Sequence, residues 1–189
     1  QEQEDELKVL LNKVATSEAD QYSKNLRVNA PMFVTAVKPE GTLSQVAGGV
    51  SSGLHWSHSP YFIRRIRVNS TDPLVDVAKE LGWTIHAEVG TNNMMTEEDL
   101  AKPEQIDSAS TLVIDFPVHS SAEMTKDDIS IDEQFDNYFS FQSLYTDMNT
   151  SNTMTVKPGE WGQAQKRVWD GWGNFVGVSF LSHDGGTYT

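Results

Sequence analysis

Cysteine is absent from the 189 residues. No disulfide, thiolate metal site or thiol chemistry is therefore carried by this chain itself. Basic residues are scarce as well: 14 Lys and Arg stand against 27 Asp and Glu, for a formal net charge of -13. Such a surface repels a polyanion over most of its area, so no nucleic-acid partner is expected. No stretch reaches the roughly 18 consecutive apolar residues of a membrane helix, and no basic-then-apolar signal segment opens the chain. Neither a membrane partner nor secretion is expected, and a cytoplasmic location is. Internal repeats are also missing. The chain opens on Gln1 rather than Met, which suggests a piece of something longer or a processed product.

What is present is a chain of one-domain length, long enough to bury roughly 70 % of its unfolded surface. Residues 4 to 26 carry Leu7, Leu10, Leu11, Val14 and Ala15 at helical spacing behind an acidic first turn. Met32 to Val37 reads as a short buried strand, and Leu43 to Ala47 as a short helix. Gly48, Gly49 and Gly53 predict a loop whose backbone closely approaches another group. The run YFIRRIRV, Tyr61 to Val68, interleaves apolar and basic positions and fits either helix or strand.

Asp72-Pro73 marks a helix start, with Leu74, Val77, Ala78 and Leu81 as its expected buried face and Gly82 as its end. Thr84 to Val89 and Thr111 to Val118 read as strands pairing in a peripheral β-hairpin, with a polar acidic connection, Gly90 to Asp107, between them. A helix over Asp132 to Met148 carries Phe135, Tyr138, Phe139, Gln142 and Tyr145 along one side, which reads as core packing. Thr153 to Val156 is a short strand, Trp161 to Trp172 an amphipathic helix, and Phe175 to Leu181 an apolar closing strand before a glycine-containing tail. The alternation of strands and helices at both ends, with apolar strands, predicts an α/β fold with a mainly parallel central sheet or barrel. The 189 residues are taken as a single fragment. They divide into an N-terminal helix (1–30), a segment with strand, turn and basic element (31–69), a helix and hairpin excursion (70–130), and closing helices and strands (131–189).

The sharpest chemical signal is Lys38 to Gln45. Pro39 fixes a turn, Gly41 lets main chain come close to a ligand, and Thr42 and Ser44 offer hydroxyls. Free N–H groups where a helix begins suit a phosphate, although the same residue types also serve as ordinary caps. No Gly-Lys-Ser/Thr follows at Walker spacing. Arg64, Arg65 and Arg67 form the dense basic cluster, either offsetting phosphate charge or pairing with surface acids. His55 and His58 lie three apart with no acidic neighbour, which does not make a metal site. No catalytic residue stands out.

The stretch VKPEGTLSQVAGGVSSGLHWSHSPYFIRRIR, Val37 to Arg67, resembles the corresponding segment of adenosylcobalamin-dependent (class II) ribonucleotide reductases, above all the monomeric ribonucleoside-triphosphate reductases. PLVDVAKELGW, TLVIDFPV and WDGWGNFVGVSFL resemble later parts of the same enzymes in the same order, so the likeness runs from about Met32 onward. The resemblance implies the C-terminal portion of a ten-stranded α/β barrel. It also implies reduction of ribonucleotides to 2′-deoxyribonucleotides by a cobalamin-initiated thiyl radical. Pro39, Gly41, Thr42, Leu43 and Ser44 would hold the substrate's phosphates, with Arg64, Arg65 and Arg67 in support. Adenosylcobalamin, a ribonucleoside triphosphate, deoxynucleotide effectors and a thioredoxin-type reductant are the implied cofactor and partners of the full-length enzyme. Departures are Glu40, where relatives often have a small residue, and the missing cysteines, which leave the fragment inactive alone. The rival expectation is a non-catalytic acidic module binding a sugar or a protein.

Overall fold

A computed structural model describes residues 2–48, 50–88 and 95–183. In chain order the helices are α1 (Glu2–Leu26), α2 (Leu43–Val46), α3 (Pro73–Glu80), α4 (Glu97–Leu100), α5 (Pro103–Ser108), α6 (Ile131–Leu144) and α7 (Trp161–Asp170). The strands are β1 (Tyr61–Asn69), β2 (Ile85–Ala87), β3 (Thr111–His119), β4 (Thr153–Val156) and β5 (Ser179–Ser182), and a 3-10 turn spans Trp172–Asn174. The chain forms two compact units, one of residues 1–59 and 121–189 and the other of residues 60–120.

In the first unit, β4 and β5 pair in parallel, with Met154 opposite Phe180. A parallel pair needs a crossover, and α7 lies between the two strands in sequence. Ile131, Phe135 and Tyr138 of α6, Met154 and Val156 of β4, and Ala164 of α7 form the buried core, with Phe139, Phe175 and Phe180 packed against it. Phe135, Tyr138 and Phe139 of the predicted side are therefore core, while Gln142 and Tyr145 are half-buried outside it, Gln142 bonding the Met148 carbonyl and the Thr150 N–H. Ser130 and Glu133 close a capping box at the start of α6. Gln134, buried on α6, meets the backbone of β4: its Nε2 donates to the Thr155 carbonyl at 2.9 Å, and its Oε1 accepts from the Thr155 N–H at 2.9 Å. The buried polar side chain thereby satisfies main chain that β5 does not reach.

The second unit is an antiparallel sheet in the order β1-β3-β2. Tyr61–Asn69 is a strand, so the ambiguity between helix and strand resolves to strand. The predicted hairpin partners are neighbours, with Ile85 opposite Ile114, but β3 is central and pairs along its whole length with β1. The basic element thus belongs to the same sheet as the hairpin. Pro117 lies beyond the stretch of β3 that β2 reaches, where its missing N–H costs no bond with β2. Asp72 caps α3 as predicted, its carboxylate accepting from the Leu74 N–H at 2.9 Å. Gly82, at φ +69°, takes the left-handed conformation that ends the helix.

Four sequence expectations need correction. The buried face of α3 is Val75 and Ala78, packed with Ile85, Leu112 and Ile114, while Leu74, Val77 and Leu81 are exposed. Two overlapping apolar stripes exist on that helix, and the sheet selects the one that periodicity ranks second. Met32–Val37 forms no strand ladder; one parallel bridge, Val37 to Thr150, marks it. The larger sheet is antiparallel, so among the described residues the parallel strand pair is β4–β5, beside the isolated parallel bridges Val37–Thr150 and Ser57–Thr125. Finally, the strands are not uniformly buried: β1 alternates, and β5 is mostly exposed. The expected polar connection holds α4 and α5 in its described part, and Val89 to Met94, Gly49 and the tail from Asp184 lie outside the described residues.

Gly171 follows α7 where the ring of Phe139 leaves no room: a Cβ there would overlap that ring and press on the Arg167 carbonyl. Overpacking of this kind costs about 1–3 kcal/mol. Gly171→Ala is expected to lower the unfolding free energy from urea titration by that amount, moving the midpoint down, whereas Gly173→Ala, with open space around it, is expected to leave the midpoint close to wild type. Equal midpoints for the two variants would contradict the packing.

Candidate functional site

The segment leading into the Pro39–Ser44 turn is extended without a strand partner, so its polar backbone must be satisfied by other means. Asp147, just past α6, does most of this. Its Oδ2 accepts from the backbone N–H groups of Val34 and Thr35 at 2.9 and 3.2 Å, and its Oδ1 accepts from Asn12 Nδ2 of α1 at 3.1 Å. The Asp147 N–H in turn donates to the Thr35 carbonyl at 3.1 Å, and the Ser151 N–H to the Val37 carbonyl at 3.0 Å. Thr35 is buried, and its hydroxyl donates to the Tyr145 carbonyl. The Val34 N–H, helped by the Thr35 N–H and by the Asn12 and Thr35 side chains against the opposing effect of burial, holds the Asp147 carboxyl below the usual aspartate range.

The turn itself is compact. The Gly41 N–H donates to the Pro39 carbonyl at 3.0 Å, and the Ser44 N–H to the Glu40 carbonyl at 3.0 Å. The Val46 and Ala47 N–H groups donate to Thr42 and Leu43 carbonyls at 3.2 and 2.9 Å. Among the described residues the N–H groups of Thr42 and Leu43 and the Thr42 hydroxyl have no protein partner. All three belong to exposed residues. The Ser44 hydroxyl behaves differently: it is buried, donates to the Gly41 carbonyl at 3.2 Å and meets Ser52 Oγ at 3.3 Å. The two hydroxyls that sequence reading grouped together thus split, one facing out and one bracing the turn from within. Pro39, Gly41 and Glu40 are exposed, and Glu40 makes no ion pair among the described residues.

The glycine-serine loop comes back under the turn. Gly53 has φ +56°, and a Cβ there would lie 2.9 Å from the Lys38 carbonyl oxygen. Both conformation and space require glycine at this point, which is the close backbone approach that the loop's composition predicts. His55 then ties the loop to the sheet: the Thr153 N–H at the start of β4 donates to His55 Nε2 at 3.1 Å.

The arginines are placed by the alternation of β1. Arg65 and Arg67 share a face and pair within their own unit, Arg65 Nε lying 3.4 Å from Asp115 Oδ1 and Arg67 Nε 2.8 Å from Glu88 Oε1. Arg64, on the other face, lies over the Phe62 ring at 5.5 Å and pairs with no acid among the described residues. Among those residues no group of three or more His, Cys, Asp or Glu side chains is placed to hold a metal ion. No helix of the described residues is long and apolar enough to cross a membrane. The contacts among Asn12, Thr35 and Asp147, which span 23 to 135 residues, and the contact of His55 with Thr153, 98 residues on, carry no local pattern in the sequence. The one local cue is a polar side chain inside the otherwise apolar run Met32–Val37, at Thr35.

No protein-family model matches the chain. Over 152 residues it is 34% identical to the adenosylcobalamin-dependent ribonucleoside-triphosphate reductase of Lactobacillus leichmannii, an alignment covering 80% of this chain and 19% of that protein. The Lactobacillus gasseri protein of the same name is 33% identical over 153 residues, covering 77% and 18% of the two chains. A crystal structure of a B12-dependent, class II ribonucleotide reductase superposes on 100% of this chain and 24% of its own, with a TM-score of 0.78 and 26% identity. This chain belongs to the class II ribonucleotide reductase family. It spans less than a fifth of the length of the curated relatives. Its architecture is α/β, as these reductases and its own elements agree. The rival reading as an acidic sugar- or protein-binding module is not favoured, since the matched relatives are reductases.

Asp147 gives the site a pH signature. Its carboxyl titrates lower in the folded protein than in the unfolded chain, so its contribution is complete above the unfolded value, about 3.9, and is lost as pH falls through the folded value. Asp147→Asn is expected to melt a few degrees below wild type at pH 7, with the gap closing below about pH 4. A gap that stays constant across that range would show that the carboxylate charge plays no part.

Proposed function

We propose that this chain is the part of an adenosylcobalamin-dependent ribonucleoside-triphosphate reductase that holds the substrate's phosphates. In this reading it contributes the C-terminal portion of a ten-stranded α/β barrel. The reaction is replacement of the ribose 2′-hydroxyl by hydrogen, with a ribonucleoside triphosphate as substrate. The observation that carries the assignment to the turn is the pair of open N–H groups at Thr42 and Leu43 beside the open Thr42 hydroxyl, on a turn braced from within by Ser44.

The division of labour follows from what each group can do. The amides of Thr42 and Leu43 donate to phosphate oxygens, and so does the Thr42 hydroxyl. Pro39 and Gly41 shape the turn so that these donors converge, and Leu43 contributes its amide while its side chain stays outside. Ser44 keeps the geometry by bonding to the Gly41 carbonyl. Of the basic cluster, Arg64 pairs with no acid among the described residues, whereas Arg65 and Arg67 are engaged with Asp115 and Glu88. Fixing the phosphates fixes the ribose, and positioning of this kind lowers the barrier of a step whose reacting atoms come from elsewhere.

Adenosylcobalamin, on which the relatives depend by name, would in this reading supply the radical initiation when bound. The open groups of the turn are N–H and O–H donors suited to anionic oxygens, and no metal-ligating cluster lies among the described residues. No residue of this chain is therefore assigned to the cobalamin. The chain holds no cysteine, so the thiyl radical and the reducing thiols belong, in this reading, to other parts of the enzyme. Effectors and a thioredoxin-type reductant act on that whole enzyme.

In the intact reductase, Thr42→Ala is expected to raise the Michaelis constant for the ribonucleoside triphosphate about tenfold, the effect of losing one hydrogen bond to a charged group. Radical formation, followed by the optical change on cobalt–carbon cleavage, is expected to stay intact. An unchanged Michaelis constant and turnover would sink the assignment.

A further inference from the structure

We infer that His55 is the positioning residue of the phosphate turn, acting through Ser52 and Ser44 as a neutral imidazole with its proton on Nδ1. The inference rests on the reading of Pro39–Ser44 as the phosphate-holding turn and extends it to a residue that touches no phosphate.

The hydrogen bonds assign the tautomer. The Thr153 N–H points at His55 Nε2 at 3.1 Å, and a backbone N–H can only donate. Nε2 is therefore the bare nitrogen, and Nδ1 carries the proton. His55 Nδ1 lies 2.8 Å from the Ser52 carbonyl oxygen, which also accepts from the His55 backbone N–H at 3.0 Å. Two donors of one residue thus hold a single carbonyl and fix the peptide plane of Ser52.

That plane matters because Ser52 reaches the turn. Ser52 Oγ lies 3.3 Å from Ser44 Oγ, and Ser44 Oγ donates its one proton to the Gly41 carbonyl at 3.2 Å. Ser52 is then the donor to Ser44. The line of contacts runs from β4 through His55, Ser52 and Ser44 to Gly41, the residue just before the open amides of Thr42 and Leu43. The next residue along the loop, Gly53, is pressed against the Lys38 carbonyl. A shift of the loop therefore reaches both ends of the turn. Lysine or arginine in place of His55 could not accept from Thr153, and serine could not span both contacts; an imidazole offers one donor and one acceptor at opposite ends of a rigid ring.

Kinetics of the intact reductase test this. His55→Ala is expected to raise the Michaelis constant for the ribonucleoside triphosphate about tenfold with turnover at saturation within twofold of wild type. His55→Gln, whose amide keeps one donor and one acceptor, is expected to recover part of that loss. If Thr42→Ala raises the Michaelis constant and His55→Ala does not, the positioning role is wrong and the phosphate reading survives. If neither variant changes it, both are wrong. Should His55→Ala fail to fold, the tautomer decides on the unaltered 189-residue chain: long-range proton–nitrogen spectra are expected to show a protonated Nδ1 and a bare Nε2 at His55. A proton on Nε2 would overturn the inference.

Discussion

An extended backbone that has no strand beside it must still find partners for its N–H and C=O groups, and in this chain Asp147 supplies several of them, its carboxylate taking two N–H groups and its own N–H one carbonyl. Asp147 accepts from two consecutive amides, at Val34 and Thr35, and from Asn12 of the long first helix. Hydrogen bonds to a charged acceptor contribute roughly 1.5–3 kcal/mol each, against about 1 for a neutral pair. A single ladder bridge at Val37 could not hold the segment alone. With Asp147 in place, residues 34 to 38 are fixed, and the turn that follows starts from a defined direction. The glycine-serine loop then fixes the turn's other side through Gly53, Ser52 and His55.

This arrangement suits an anion site on an acidic protein. A net charge of -13 produces a field unfavourable to a triphosphate, but that field is screened over about 8 Å at physiological salt. Amide dipoles act at contact distance, where screening is weak. The clustered arginines do little to offset the long-range field, because Arg65 and Arg67 are matched by Asp115 and Glu88. Binding in the proposed reading therefore depends on how well a few N–H groups are aimed, which is why the residues behind the turn carry as much weight as those on it.

Elements with strong local signals were legible in the sequence: the first helix, the Asp72-Pro73 start of α3, the hairpin pair, and the aromatic side of α6. So was the turn, through Pro39, Gly41 and the hydroxyls at 42 and 44. What was not legible depends on distant partners. Val75 rather than Leu74 faces the core because β3 and β2 lie on that side of α3. The apolar positions Leu7, Leu10, Leu11 and Val14 of α1 are exposed, while Lys8 is buried through Asp5 and Ser140. The inward turn of the Ser44 hydroxyl, and the roles of Asn12, Asp147 and His55, needed contacts up to 135 residues apart. Periodicity reports which residues can share a face, and only the assembled unit decides which face is covered.

The central claim is that a turn braced from behind presents free amides to the phosphates of a ribonucleotide. A structure of the intact reductase with its ribonucleoside triphosphate bound tests it directly. Phosphate oxygens are expected at about 2.7–3.2 Å from the Thr42 and Leu43 amide nitrogens, with Ser44 Oγ still on the Gly41 carbonyl. Phosphates bound elsewhere, with those two amides left to water, would contradict it.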